Sequence, residues 1–444
     1  MINMIRLEIF GDSLYFREES GSFGLDEQSA LLYAPIPSPT QLAETQHPTC
    51  YSFSLNITNN CNLKCDYCFN NQKAKGRMTV HEAIERLDLL FGAFSDGEKY
   101  FVDLSGKGEP LLALDVVFAV SDYCHRKQDE LRREILVQFA TNGLLLTPKV
   151  GAALKKRGIL FGVSLDGGEA VHDLHRKTAN GEPTYQKVLG NVKSLENRDY
   201  LGCAVTLTKD VFSLCRSIDE LRLCFRTISY RPARGSFGFD QQASDQWQRE
   251  YEKLAIRLYN EGNAGDLSTF LLLMNGDDYF GRFLCRAFGN QIVINRCDGG
   301  ITRFSVDLDG SIYPCAPASE VPSMSIGSDL RETSRENRLQ QANSCAQCPY
   351  KFLCGGECAI LLREYGRPHE AMCAWKRRLI ILAQWIALRL KEDNPPTYER
   401  LSAFVEEKMT RYRADPALTE YLKHHPELSF TEAKKQFDDI ARRY

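Results

Sequence analysis

From Tyr51 to Pro232 the sequence alternates six times between a short β-rich run and a longer amphipathic stretch. The strand candidates are Tyr51–Thr58, Tyr100–Ser105, Ile135–Ala140, Leu160–Leu165, Gly202–Thr208 and Thr227–Arg231. Two of the intervening helices open on a capping box, Thr79-x-x-Glu82 and Ser217-x-x-Glu220. Strand–helix units in series pair their strands in parallel and cover the sheet with helices, as an open sheet or a partial barrel. Active sites in such folds lie at the C-terminal ends of the strands. The residues just after each strand are therefore where chemistry is expected.

At 444 residues the chain exceeds one ordinary domain. Residues 5–17 read as a hairpin around Gly11-Asp12, and Pro35–Pro48 reads as a linker. Residues 1–48 are thus a small appendage, followed by the strand–helix core over 49–235. A helical bridge, 236–284, leads to a cysteine-rich region, 285–391, in which Thr302–Asp307 and Ser311–Pro314 flank an Asp309-Gly310 hairpin turn. The tail, 392–444, is charged and helical, with an Asp415-Pro416 helix start and a Ser429-x-x-Glu432 box. It reads as a solvated cover over the cysteine-rich region.

The net charge of −3, with no strongly basic stretch, argues against nucleic acid as a partner. The N-terminus shows no basic segment followed by a long apolar run. The best membrane candidate, Leu379–Leu390, is far shorter than the roughly 20 residues a crossing needs and reads as a buried helix. A cytoplasmic protein without a membrane partner is expected. Sixteen cysteines in a reducing compartment point to metal instead of disulfides. Cys124, Cys203, Cys215 and Cys224 fall in apolar helix or strand patterns and read as small core residues.

Directly after the first strand comes Cys61-x3-Cys65-x2-Cys68. Three thiolates on one short loop can converge on three irons of a [4Fe–4S] cluster and leave the fourth iron without a protein ligand. A structural zinc knot would need a fourth ligand at fixed spacing, and no nearby His supplies one. With this loop, the chain resembles the radical S-adenosylmethionine (SAM) enzymes. Tyr67 stands where that family contacts adenine. Gly106-Lys107-Gly108-Glu109-Pro110 resembles the segment holding the SAM amino group, Lys107 replacing the usual Gly and Gly108, Glu109 and Pro110 carrying the match. Ala140-Thr141-Asn142-Gly143 follows the third strand. Ser164-Leu165-Asp166-Gly167, with His172, Asp173 and Arg176, resembles the segment contacting ribose and carboxylate. The resemblance implies a partial (β/α)6 TIM-like barrel. It also implies SAM bound to the fourth iron and reductive cleavage to a 5′-deoxyadenosyl radical that takes a hydrogen atom from substrate.

In the second region, Cys297, Cys315, Cys345, Cys348, Cys354, Cys358 and Cys373 could by spacing alone form zinc or iron–sulfur sites. The series resembles the SPASM extension of radical SAM proteins. That resemblance implies two auxiliary [4Fe–4S] clusters, three clusters in all. The first would be held by Cys297, Cys315 and Cys358, with Cys285 as a candidate fourth ligand, and the second by Cys345, Cys348, Cys354 and Cys373.

SPASM enzymes mostly act on peptides, so three functions are weighed: cross-linking a ribosomal precursor peptide (RiPP maturation), oxidising a sulfatase residue to formylglycine, and passive electron transfer. The N-terminal hairpin favours the first, since a sheet edge can grip a leader peptide by strand addition. It can equally be a structural cover. An intact SAM-binding set has no use in a passive carrier. The expected activity is a radical SAM oxidoreductase acting on a peptide and fed by a flavodoxin- or ferredoxin-type reductant. Epimerisation of a peptide residue is a further alternative.

Overall fold

The computed structural model describes residues 4–18, 21–31, 50–70, 76–234, 238–276, 278–293, 297–327, 345, 347–411 and 413–441. The linker expected over Pro35–Pro48 lies outside them. Three strands open the chain: β1 (Met4–Ile9), β2 (Asp12–Arg17) and β3 (Ser22–Gly24), paired antiparallel in that order. The core sheet adds β4 (Cys50–Leu55), β5 (Lys99–Asp103), β6 (Glu134–Thr141), β7 (Leu160–Ser164), β8 (Gly202–Leu207) and β9 (Thr227–Pro232). All six are parallel neighbours in chain order. Alternate residues are buried in β4, β6, β7 and β8; along β6 every second one is, beginning at Ile135. This period of two sends one face to the helices and keeps the other toward the interior.

The cysteine-rich region's hairpin is not separate from this core. It forms β10 (Arg303–Val306) and β11 (Ile312–Tyr313), and β10 pairs in parallel with β4, Phe304 against Phe53. The result is one eight-stranded α/β sheet in the order β11-β10-β4-β5-β6-β7-β8-β9. Stacking of Phe94 on Phe304, 4.4 Å between ring centroids, helps seat the added strand. Among the described residues β9 does not pair with β11, so the sheet stays open.

Four of the six core strands stop earlier than the apolar pattern suggests, while β6 and β9 run one residue further. The first was expected to run to Thr58, yet the chain leaves the sheet after Leu55. Asn56 instead donates from Nδ2 to Asp307 (3.3 Å), and the Thr58 hydroxyl donates to the Gly76 carbonyl (3.0 Å). Side-chain hydrogen bonds of this kind compete with the sheet ladder. The Thr79–Glu82 capping box is present. Ser217 is not a cap: helix Leu214–Leu221 starts one turn earlier on Ser213, and the Ser217 hydroxyl bonds that of Tyr230 at 2.9 Å.

In the N-terminal sheet the hairpin turn is Phe10-Gly11, both at positive φ (50° and 90°), and Asp12 already belongs to β2. Two successive positive φ values suit the twist of a two-residue hairpin. Phe16 is fully buried, stacked on Phe23 and on Tyr350 (4.5 and 4.8 Å). Trp385 donates to Asp12 at 2.8 Å. The sheet therefore lies on the cysteine-rich region, against the helix Glu370–Asp393. That helix includes the apolar run at Leu379–Leu390 and is buried along it. No described helix is long and apolar enough to cross a membrane.

Only the first helix of the tail covers the cysteine-rich region as expected. Helix Pro395–Thr410 packs on Glu370–Asp393, but Pro416–His424 and Phe430–Ala441 fold back onto the core helix Leu114–Leu131. Arg132 fixes them by donating to the carbonyls of Leu422, His425 and Leu428 at 2.8, 3.1 and 2.6 Å. Lys cannot span these acceptors with a planar fork. Arg132→Lys should weaken this docking by about 1–3 kcal/mol. Hydrogen exchange should then rise across 416–441 while β6 stays protected.

Candidate active site

The loop carrying Cys61, Cys65 and Cys68 leaves the C-terminal end of β4. It is tied down by backbone donation from Lys64 to Lys177 (2.8 Å) and from Asp66 to His175 (3.3 Å). Cys61 is exposed, Cys65 buried and Cys68 half-buried. Burial raises all three thiol pKa values, that of Cys65 to about 12, and Cys65 also feels the charge of the other two. A metal centre bound here would have to displace the thiol protons, because thiolates are the ligands.

Across the loop stands Asp166, fully buried just beyond β7. Its carboxylate accepts from the Tyr67 hydroxyl, from Arg176 Nε (2.8 Å) and from the backbone N–H of Thr206 in β8 (2.7 Å). Burial opposes its ionisation, but Arg176 and these donors hold it below the usual carboxylate range. Burial works against the Arg176 charge too, and Asp166 more than offsets it. Asp166 is thus a fixed anion, not a proton acceptor. His172 accepts the Asp166 backbone N–H at Nδ1 (3.2 Å), and burial pushes its pKa down to about 4, so it stays neutral. Ser164 ends β7 in register with Ala204.

The segment after β5 is shaped by close approach. A Cβ on Gly106 would stand 1.4 Å from Asn56 Oδ1, and one on Gly108, at φ +59°, would meet the carbonyls of Thr58 and Asn60 at 2.5 Å. Glu109 is buried and accepts from the Thr141 hydroxyl (2.7 Å), the Asn142 N–H (2.7 Å) and the Leu111 N–H (3.0 Å) at the start of the turn Pro110–Ala113. Burial raises its pKa. A carboxylate has about four lone-pair positions, so three protein donors leave room for one more partner. Asn142 reaches the cysteine loop, its Nδ2 lying 2.7 Å from Asn62 Oδ1 and 3.7 Å from the Cys61 sulfur.

The structure also brings the later cysteines together. Cys297, Cys315 and Cys358 line one cavity of about 290 Å³. Cys345, Cys348, Cys354 and Cys373 line another, of about 30 Å³, backed by the buried Lys376–Glu357 pair (2.9 Å). Cys285 joins neither set. It lies in the helix Tyr279–Phe288, donates to the Met274 carbonyl and faces Lys408, because the helical turn points it into the bundle. Among the described residues no three His, Cys, Asp or Glu side chains close on a point that one metal ion could fill. Zinc needs its ligands within about 2.0–2.3 Å, whereas a cubic cluster spreads its thiolates over separate irons. Thiols gathered around a space fit the second better.

Some residues at the site carry no local sequence signal. His175 bridges Asp66 of the cysteine loop (3.0 Å) and Asp210 after β8 (3.1 Å). Lys107, fully buried, pairs with Asp307 (2.7 Å) and Glu320 (3.1 Å) of the cysteine-rich region. No spacing rule connects residues so distant in the chain. The departure of Lys107 from a Gly-Gly pattern is the one hint the sequence contained. Asp298, whose carbonyl accepts the N–H groups of Ile301, Thr302 and Arg303, shapes its loop.

Residues 55–208 match the Radical SAM superfamily. Over this stretch the chain is similar to a class of proteins that work with SAM and a [4Fe–4S] cluster. The chain is similar to the cysteine-type anaerobic sulfatase-maturating enzyme of Clostridium novyi (strain NT), 25% identical over 273 residues, covering 58% of this chain and 71% of the relative. In fold it resembles anSMEcpe with bound AdoMet, at a TM-score of 0.62 and 18% identity, over 80% of this chain and 99% of that one. It also resembles Streptococcus suis SuiB bound to precursor peptide SuiA, at a TM-score of 0.51 and 14% identity, over 74% and 76% of the two chains.

Two outcomes follow from these environments. Asp166→Asn leaves the buried Arg176 guanidinium without its counter-charge and should cost about 3–5 kcal/mol, read as a lower urea midpoint. His172 has a folded pKa of about 4 against an ordinary 6.5. The unfolded chain therefore binds the extra proton between those values, and stability should fall as pH drops from 6.5 toward 4. His172→Gln should flatten that limb in a pH series of urea midpoints.

Proposed function

We propose that this chain is a radical SAM/SPASM peptide maturase, an oxidoreductase that installs a side-chain cross-link (carbon–carbon, ether or thioether) in a ribosomal precursor peptide. The observation that supports it most is the convergence of the Cys61–Cys65–Cys68 loop with the buried Tyr67–Asp166–Arg176 set on one rim of the sheet. In this reading the three cysteines hold the SAM-binding [4Fe–4S] cluster. Cys297, Cys315 and Cys358 hold a first auxiliary cluster, and Cys345, Cys348, Cys354 and Cys373 a second. When bound, the first cluster and SAM supply a 5′-deoxyadenosyl radical able to take a hydrogen atom from an unactivated carbon.

The chain's own residues bind, orient and keep out water. Glu109 retains one acceptor position for the SAM amino group, beside Gly108 and Pro110. Tyr67, held by Asp166, offers its ring to adenine. Asn142, Ser164 and Arg176 flank the nucleoside and carboxylate. Further thiol sets give the surplus electron of a cross-link a place to leave, and a flavodoxin- or ferredoxin-type protein would deliver the first one. The three-stranded N-terminal sheet keeps β1 as an edge for a leader peptide, although its packing on Tyr350 and Trp385 equally suits a cover.

A second reading, formylglycine formation in a sulfatase, is favoured by the similarity to the Clostridium novyi enzyme. The product separates the two. A cross-link lightens the peptide by two hydrogen atoms, formylglycine formation from Cys removes the thiol, and epimerisation in heavy water adds one deuterium. For the radical site itself, the Cys61/Cys65/Cys68→Ala variant should lose about four irons per chain and all 5′-deoxyadenosine formation. Unchanged SAM cleavage in that variant would sink the assignment.

A further inference from the structure

One helix runs between the two later cysteine sets. Tyr279–Phe288 places Tyr279 and Arg282 in the wall of the cavity holding Cys297, Cys315 and Cys358. One turn further on, Arg286 reaches the second set. Its Nη1 donates to the carbonyls of Leu353 and Cys354, at 2.6 and 3.5 Å. Those residues close the short helix Lys351–Cys354, and the last carbonyls of any helix lack partners within it.

Capping accounts for the two hydrogen bonds but not for the charge. Arg286 is half-buried, with its guanidinium 5.3 Å from the centre of the Phe283 ring. Among the described residues no carboxylate pairs with it. Asp278, at the start of the helix, acts on Arg282 instead. Burial opposes the Arg286 charge most, and Arg282 opposes it next; the thiols of Cys354 and Cys285 act the other way. Like charges one turn apart on a helix repel. Together these influences draw the guanidinium pKa down to about 10, so the group stays charged at neutral pH at a cost. A neutral donor would meet the same carbonyls without that cost.

The missing anion is what four thiolates would supply. Around a [4Fe–4S] core of charge 2+ they total about −2, and about −3 after reduction by one electron. A fixed cation favours both states and the reduced one more. Net charge near a cluster is one of the factors that set its potential.

We propose that Arg286 is the charge partner of the cluster held by Cys345, Cys348, Cys354 and Cys373, and that it raises that cluster's reduction potential. A cluster so poised takes up the surplus electron of a cross-link more readily. This rests on the reading above in which those four cysteines hold a cluster.

The test uses the full-length reconstituted protein carrying Cys61/Cys65/Cys68→Ala, which in this reading keeps two clusters and about eight irons. An EPR-monitored redox titration gives their two midpoints. Adding Arg286→Gln removes the charge and keeps an N–H donor. One midpoint should fall so that reduced cluster at a fixed potential drops about tenfold, a shift of about 59 mV, while the iron content holds. Arg286→Lys keeps the charge and should leave that midpoint near the parent value.

Two unmoved midpoints in the Gln variant, with its iron retained, would overturn the proposal. So would equal shifts in the Gln and Lys variants, since the hydrogen bonds and not the charge would then matter. Loss of about four irons in the Gln variant alone would support it; the same loss in both variants would overturn it. Separately, Cys354→Ala/Cys373→Ala that loses no iron would overturn the reading of a cluster at this site, whatever the arginine does.

Discussion

The arrangement of the active-site rim depends on one buried ion pair. Asp166 and Arg176 are both removed from water, a costly placement unless each is fully met by partners. They meet each other at 2.8 Å, and the remaining capacity of Asp166 is taken by Tyr67 from the cysteine loop and Thr206 from β8. Three separate segments are thereby fixed around a single carboxylate. His175 adds a second tie between the same loop and the segment after β8. Both ties fall between Cys65 and Cys68, within the loop that must fix three thiols relative to a bound nucleoside.

A second constraint joins the two functional halves. β10 extends the core sheet beside β4, the strand that feeds the Cys61 loop. Lys107, next to the glycines that allow close approach of the chain, reaches Asp307 just past β10 and Glu320 beyond it. The cysteine-rich region therefore shares both a sheet and a buried ion-pair network with the SAM-binding segment. Motion of one against the other would break charges out of a dry environment, where unpaired ions are most costly.

Much of this was legible in the chain. Period-two burial with regularly spaced helices located all six core strands to within about three residues. The motif residues after those strands do lie on one rim, because parallel connectivity places every such segment at the same end of the sheet. The strand ends were overrun because polar residues such as Asn56 and Thr58 were read as continuing the pattern, when their side chains bond to distant loops. The Ser217 box failed for a similar reason: Ser213 capped the helix first. β3, too short for a periodicity, was missed.

What the sequence by itself determined is the local chemistry: which loop carries three closely spaced thiols, which glycines follow the second core strand, and which strands must be parallel. These depend on neighbours within a few residues, where spacing and geometry are tied by the covalent chain. Only the tertiary structure decided the rest. It joined β10 to β4, turned Cys285 away from the other cysteines, folded the end of the tail onto Leu114–Leu131 and brought Arg286 against the carbonyl of Cys354. Each of these is set by packing and charge between residues remote in sequence, and no periodicity encodes which distant partner will be met.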